Sequence, residues 1–322
     1  MMFDSVFRTL FLSTPARLSL AERHLCIAQE DKEKVKIPLV DILCIIAESP
    51  QITLTNALLD ALASHKIVLY TCDSSHLPSG IFMPFLGHYK ALSVLQSQIA
   101  SSKQRKAVLW QQIIKAKISN QATLLQMQHK KEYESLESLA KSVNLGDSNN
   151  NEAKAAAIYF KALFGKHFSR KVQIFEESQN GIINAALNYA YAIVRGVITR
   201  SLCASGLHLA LGIHHKNQFN AFNLADDVIE PYRIFADSLV VQMIEGGELG
   251  EALSLENRLK LARILNVAVE VEHKLYPLHR AVIVSVQSVV KCFEAENFKL
   301  KLPLFCEDRS NGREIYEGVS DV

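Results

Sequence analysis

Between Ser74 and Lys131 the sequence has no aspartate or glutamate, and from Ala153 to Ala225 it has only Glu176 and Glu177. With 33 acids in 322 residues, an even spread would place roughly a dozen across those two stretches. Other absences narrow the chemistry. Cys26, Cys44, Cys72, Cys203, Cys292 and Cys306 lie far apart with no Cys-x-x-Cys. That argues against a zinc ribbon or a disulfide framework and for a reduced, cytoplasmic setting. There is no Walker loop, no Gly-x-Gly-x-x-Gly and no Gly-x-Ser-x-Gly, so phosphate-loop, dinucleotide and serine-nucleophile chemistry lack their signatures. No run approaches ~18 uncharged apolar residues, and MMFDSVFRTLFLS has no long apolar core, so neither a membrane span nor a signal peptide is expected. Only 13 Gly and 8 Pro, with 49% hydrophobic residues, exclude disorder and low-complexity repeats.

What is present divides the chain in two. Phe3–Leu12, Arg17–Leu20, His24–Gln29, Val35–Pro38 and Ile42–Ala47 are β-rich runs of strand length, separated by Pro15, Glu30–Lys34 and Pro50. Thr55 reads as the N-cap of a short helix, Asn56–Ser64, and Ile67–Thr71 as a further strand. Short strands packed into 85 residues predict a small β-sandwich. Beyond Tyr89, Leu92, Leu95, Ile99, Leu109, Ile113, Ala116 and Leu124 follow helical spacing. The expectation is an α+β chain with a small N-terminal β-sandwich (residues 1–85) and a larger all-α domain (86–322). Pro78, Gly80, Pro84 and Gly87 mark a hinge at about 73–90, and the polar segment Glu307–Val322 reads as loosely attached.

The acid-poor stretches are rich in bases. The first carries Lys90, Lys103, Arg105, Lys106, Lys115, Lys117, Lys130 and Lys131; the second carries Lys154, Lys161, Lys166, Arg170, Lys171, Arg195, Arg200 and Lys216. The near-neutral sum of 35 bases against 33 acids thus hides a polarised chain. Clustered Lys and Arg neutralise phosphates, so an anionic, nucleic-acid partner is favoured over plain solvated helix faces. Lys103, Arg105, Lys106, Arg170 and Lys171 are the expected phosphate contacts.

Between and after these blocks lie candidate catalytic groups. Glu152 follows the turn-forming Gly146–Asn151 and opens a helix, with Ala155, Ala156, Tyr159 and Leu163 on its face. A carboxylate projecting from an apolar stripe is costly unless a cation meets it. The plainer alternative is an acid complementing the helix dipole. Further on, Asn223, Asp227 and Glu230 fall at i, i+4 and i+7, and His214 and His215 precede them. Imidazole plus carboxylates suits Mg²⁺ or Mn²⁺. Asp226-Asp227-Val228-Ile229-Glu230 also spells the Asp-Asp-x-x-Glu of an all-α prenyl-diphosphate enzyme, and a catalytically silent DNA-binding scaffold is a further alternative.

NEAKAAAIYFKALFG with Glu152, NAALNYAYAIVR, GLHLALGIHH and NAFNLADDVIEPYR together resemble the CRISPR-associated spacer-acquisition integrase, a metal-dependent DNase subunit. LPSGIFMPF and KISNQ (residues 117–121) are similar to the family as well, and the wording is most like type II systems. Ala190, Leu209, Tyr232 and Ile234 depart from the usual pattern without removing a ligand. The resemblance implies a metal held by Glu152, His215 and Glu230, with Asp227 and His214 auxiliary. Tyr189 and Arg233 join the implied DNA-contacting set. It also implies a homodimer formed through the sandwich and a small ferredoxin-like partner subunit. The substrates are duplex DNA, as incoming fragment and as repeat; a type II effector nuclease and a ring-forming protein can join the assembly.

Overall fold

The computed structural model describes residues 8–84, 88–170, 179–295, 297–306 and 319–321. The N-terminal part contains β1 (Arg8–Leu12), β2 (Ala16–Ala21), β3 (His24–Ala28), β4 (Val35–Pro38), β5 (Ile42–Ala47), β6 (Ile52–Leu54), α1 (Asn56–Ser64), β7 (Val68–Cys72) and β8 (Pro78–Phe82). The Thr55 side chain accepts the Leu58 N–H and caps α1, as its sequence position predicts. One sheet has the order β4-β3-β2-β6 and the other contains β1-β5-β7-β8. Strands β1, β5 and β7 run parallel, whereas β8 is antiparallel to β7.

Side-chain alternation explains how the second sheet serves two cores. Leu10, Leu12, Ile45, Ala47 and Leu69 pack with Leu18, Leu25, Ile27, Ile37 and α1 residues Leu58 and Leu62 inside the sandwich. The alternate residues Phe11, Cys44, Ile46, Val68 and Tyr70 belong to the core of the helical part. All six residues of β5 are buried, as a strand covered on both faces requires.

The helical part comprises α2 (Ala91–Ala100), α3 (Lys103–Met127), α4 (Tyr133–Lys141), α5 (Asn151–Phe164), α6 (Gln179–Ala204), α7 (Asn223–Ile229), α8 (Arg233–Glu245) and α9 (Leu255–Ala262). The strands β9 (Ala268–Val271) and β10 (Lys274–Pro277) and the helix α10 (Leu278–Glu294) follow. Finally β11 (Val319–Asp321) pairs parallel with β1 at the edge of the five-stranded sheet. The α+β class is the expected one, with two refinements. The helical part is not all-α, because β9 and β10 form an antiparallel hairpin. Of the segment expected to be loosely attached, residues 319–321 form β11 at the edge of the β1 sheet.

The stretch expected to be a hinge contains β8, whose ladder with β7 fixes Pro78–Phe82 to the sheet. Across the junction, Tyr70 Oη donates to the Ile193 carbonyl at 2.9 Å. A Cβ on Gly196 would stand 2.1 Å from that hydroxyl, so only glycine permits α6 to lie this close. Arg258 of α9 pairs two-pronged with Glu48 after β5, both buried. By length and composition Asn180–Ala204 of α6 could cross a bilayer, but 78% of its apolar window is buried within the fold as a core helix.

Candidate active site

Four local structures position the functional side chains. Before α5 the chain turns through Gly146 and Asp147, both in the left-handed region at φ 66° and 54°. The Asp147 carboxylate then accepts the Asn151 N–H at 2.9 Å and the Glu152 N–H at 3.0 Å, starting the helix there. Glu152 therefore sits in the first turn of α5, half-buried.

The second is the loop before α7. The carboxylate of Asp227 accepts the backbone N–H groups of Ile213 (2.5 Å), His214 (3.0 Å) and His215 (3.1 Å). It also pairs with His215 Nδ1 at 2.7 Å. The hydrogen bond to Asp227 raises the His215 pKa, outweighing burial. Because Asp227 takes Nδ1, Nε2 is the ring nitrogen left to ligate. Gly212 is needed here, since a Cβ would lie 2.3 Å from the His215 carbonyl oxygen and 2.8 Å from Asp227 Oδ2. His214 instead stacks flat on Trp110 of α3, ring centroids 4.3 Å apart, and burial lowers its pKa. Asp226 points elsewhere and pairs with Arg195 at 2.6 Å. The Asp-Asp-x-x-Glu spelling is therefore not a diphosphate clamp, because its two aspartates serve different structural contacts.

Third, α7 runs into a 3-10 turn, Glu230–Tyr232, whose Pro231 carbonyl accepts from Asn120 of α3 at 3.1 Å. The same Asn120 amide donates to Pro303 and its carbonyl accepts the Phe305 N–H, which braces the Glu230 turn against the C-terminal segment. Burial would raise the Glu230 pKa, but Arg233 and Lys117 together hold it down at about 2. Arg233 Nε contacts Glu230 Oε1 at 3.0 Å.

Fourth, Lys117 of α3 joins the two glutamates. Its Nζ lies 2.5 Å from Glu152 Oε1 and 2.6 Å from Glu230 Oε2. Burial opposes its charge, yet the two carboxylates raise its pKa overall. Among the described residues Glu230 Oε2 has no partner other than this ammonium. Lys117 and Asn120 both belong to KISNQ; the motif was legible, their separate tasks were not.

The glutamates open onto a cavity of about 500 Å³ whose wall includes Lys117, Lys161, Arg170, Arg233, Tyr191 and Asp237. The Tyr191 ring lies beneath both Arg170 (5.1 Å) and Arg233 (4.6 Å). Asp237 accepts the hydroxyls of Tyr159 and Tyr191, and burial raises its pKa to about 6 despite those bonds and the nearby Arg170 and Arg233. Tyr159 and Tyr191 fall inside the quoted motifs, but the sequence assigns no functional role to either of them or to Asp237.

Of the expected DNA contacts, Arg170 and Arg233 line the cavity and Lys103 is exposed. Lys106 is half-buried, its pKa lowered by burial and by Lys216 beside the histidine loop. The Arg105 guanidinium donates to the carbonyls of Cys292, Ala295 and Phe298, which gives it a structural task of tying α3 to the end of α10. Tyr189 is a correction: it is fully buried in the helical core and out of reach of DNA. Lys171 lies outside the described residues. Among the described residues no three His, Cys, Asp or Glu side chains stand close enough to hold one ion. Lys117 occupies the place between the two glutamates. The donor chemistry nonetheless suits a divalent cation: two carboxylates, one with an oxygen whose sole partner among the described residues is Lys117, and an imidazole aimed by Asp227.

The family model for CRISPR associated protein Cas1 matches residues 10–263. The chain belongs to the Cas1 family. It is 38% identical over 303 residues to the CRISPR-associated endonuclease Cas1 of Neisseria meningitidis, covering 92% of this chain and 96% of that one. Similar folds are a casposase bound to integration product (TM-score 0.74, 17% identity, 94% of each chain) and a Cas1 protein from Thermotoga maritima. The latter has TM-score 0.72 and 15% identity over 90% of this chain and 98% of that one. In this chain α3, α5 and the turn after α7 contribute to the wall of one cavity.

Proposed function

We propose that this chain is a divalent-metal-dependent DNA endonuclease and integrase that inserts short foreign DNA into a CRISPR repeat array. The observation that carries the reading is the pair Glu152 and Glu230 on the wall of a cationic cavity; the His215 imidazole, held by Asp227, is the third donor. Its Neisseria relative is named an endonuclease, and the casposase was solved on an integration product.

Mg²⁺ or Mn²⁺ would be held by Glu152, His215 and Glu230 and would supply Lewis acidity to a phosphodiester under attack by a DNA 3′-hydroxyl or by water. The chain's own residues do the positioning. Arg170, which also donates to Asn184 and Asn188, and Arg233, which also donates to Glu230, lie over Tyr191 and offer their remaining guanidinium donors to phosphate oxygens. Asp227 fixes the imidazole. Phe160 and Phe168 form apolar wall that limits water around the reacting group. Lys103 and Lys106 extend the charge along α3 for the DNA backbone.

The assembly proposed is a cytoplasmic homodimer joined through the sandwich (residues 1–85), with residues 86–322 as the catalytic part. A small ferredoxin-like partner subunit bridges two dimers, and the type II effector nuclease and a ring-forming accessory protein can attach.

The test combines the chain and its partner subunit with a short duplex and a supercoiled repeat-bearing plasmid, in Mg²⁺ or Mn²⁺. Joined, relaxed products are expected. Nicking without joining would reduce the function to nuclease, and bound but unaltered DNA would favour a silent scaffold.

A further inference from the structure

The unexpected group in the site is Lys117. Its side chain is only 8% exposed, as is that of Glu230, so water screens neither charge. The ammonium touches both proposed metal-binding carboxylates at 2.5 and 2.6 Å and holds together two acids that would otherwise repel. A buried carboxylate left without a cation is strongly unfavourable, which explains why a lysine is built in here. Among the described residues Glu230 Oε2 has no partner other than that ammonium. A divalent cation and an ammonium cannot share the gap between the same two oxygens, since their repulsion at that distance in a buried site is large. One must leave, and Lys117 has somewhere to go. Its flexible four-carbon arm also lines the cavity shared with Arg170 and Arg233, where a phosphate oxygen can receive it.

We propose that Lys117 is an exchangeable counter-ion: it holds Glu152 and Glu230 together, yields its place to the divalent cation, and turns to the phosphate side of the cavity. This rests on the metal reading given above. The exchange makes metal entry and phosphate capture one linked event, with the charge freed at the carboxylates reappearing where the DNA backbone lies.

Two measurements test it. In the first, Mn²⁺ binding to the full chain is followed by calorimetry for wild type, Lys117→Met, Lys161→Met and Glu152→Ala. Removing the competitor should tighten Mn²⁺ binding by about tenfold or more in Lys117→Met. Lys161→Met, which removes an exposed charge from the same cavity, should change it by no more than about threefold. Equal effects in the two variants, or none in Lys117→Met, would overturn the exchange. The Lys117→Met protein should also melt below wild type without Mn²⁺ and recover with it, a rescue that a purely structural lysine does not predict. The second measurement needs no variant. Wild-type Lys117 should be acetylated faster by an amine-selective reagent once Mg²⁺ is added, read by mass spectrometry against Lys161; an unchanged Lys117 rate would also overturn the exchange. The metal reading fails separately, if Glu152→Ala binds Mn²⁺ as wild type does. If wild type binds none, both fall.

Discussion

Asp227 commits its carboxylate to three backbone N–H groups and one imidazole, so it acts on the site through His215 and the loop. Asp227→Ala should weaken Mn²⁺ binding by about 10–100-fold, as losses of such orienting partners do. Calorimetry checks this, and an unchanged affinity would mean that the loop holds its shape alone. Glu152→Ala and His215→Ala should each abolish nicking and strand transfer while leaving DNA binding largely intact. His214→Ala should retain more activity, since His214 lies on Trp110 while His215 is held by Asp227. The reverse order would move the ligand assignment to His214. Asp237 makes a separate prediction about pH. Its folded-state pKa of about 6 lies above its ordinary value of 3.8, so between those values the folded state binds the proton more tightly. Stability therefore falls as pH rises through that window, by up to about 3 kcal/mol, and the cost is fully present above it. Urea unfolding of wild type and Asp237→Asn from about pH 4 to pH 7 should show curves that diverge as pH rises. Parallel curves would show that Asp237 titrates normally.

At the scale of elements, helix α3 shows how one basic block divides its labour. Lys103 and Lys106 are available to a DNA backbone, whereas Arg105 braces α10. Duplex affinity of Lys106→Ala plotted against salt should lose about one phosphate contact, a slope change near 0.9. Arg105→Ala should lower the melting temperature and leave the slope alone. Identical slopes for wild type and Lys106→Ala would remove Lys106 from the interface.

This division was not legible in the sequence, because a count of bases says nothing about which guanidinium finds a carbonyl. Arg200 is a further example, bonded to the Lys66 carbonyl, while Arg195 is taken up by the Asp226 carboxylate. The strands from β2 to β5, helix α1 with its Thr55 cap and the start of α5 were legible, because each is set by local pattern and turn chemistry. Strand β8 was hidden behind its Pro and Gly, which here sit on an edge strand where proline is tolerated. The contact of Lys117 with Glu152 and Glu230 joins three elements through tertiary packing, and no periodicity encodes it.

For the whole molecule, the decisive feature is that both parts share one sheet. The Glu48–Arg258 pair, the Tyr70–Ile193 hydrogen bond and the Gly196 approach leave no loose seam between them. Arg258→Met strands a buried carboxylate and should destabilise the fold by about 3–5 kcal/mol. Unfolding monitored at the single tryptophan, Trp110, and by circular dichroism should remain one coincident transition. Two separated transitions would show that sandwich and helices unfold independently.

The return of β11 carries a consequence for how the protein is made. Thr9 in β1 pairs with Val319, so one edge of the five-stranded sheet waits for residues that leave the ribosome about 310 positions later. At roughly 5–20 residues per second, that edge of β1 stays unpaired on the nascent chain for about 15–60 seconds. Unpaired strand edges recruit strands from neighbouring chains. Soluble yield should therefore follow translation speed and chaperone supply more closely than the stability of the finished fold.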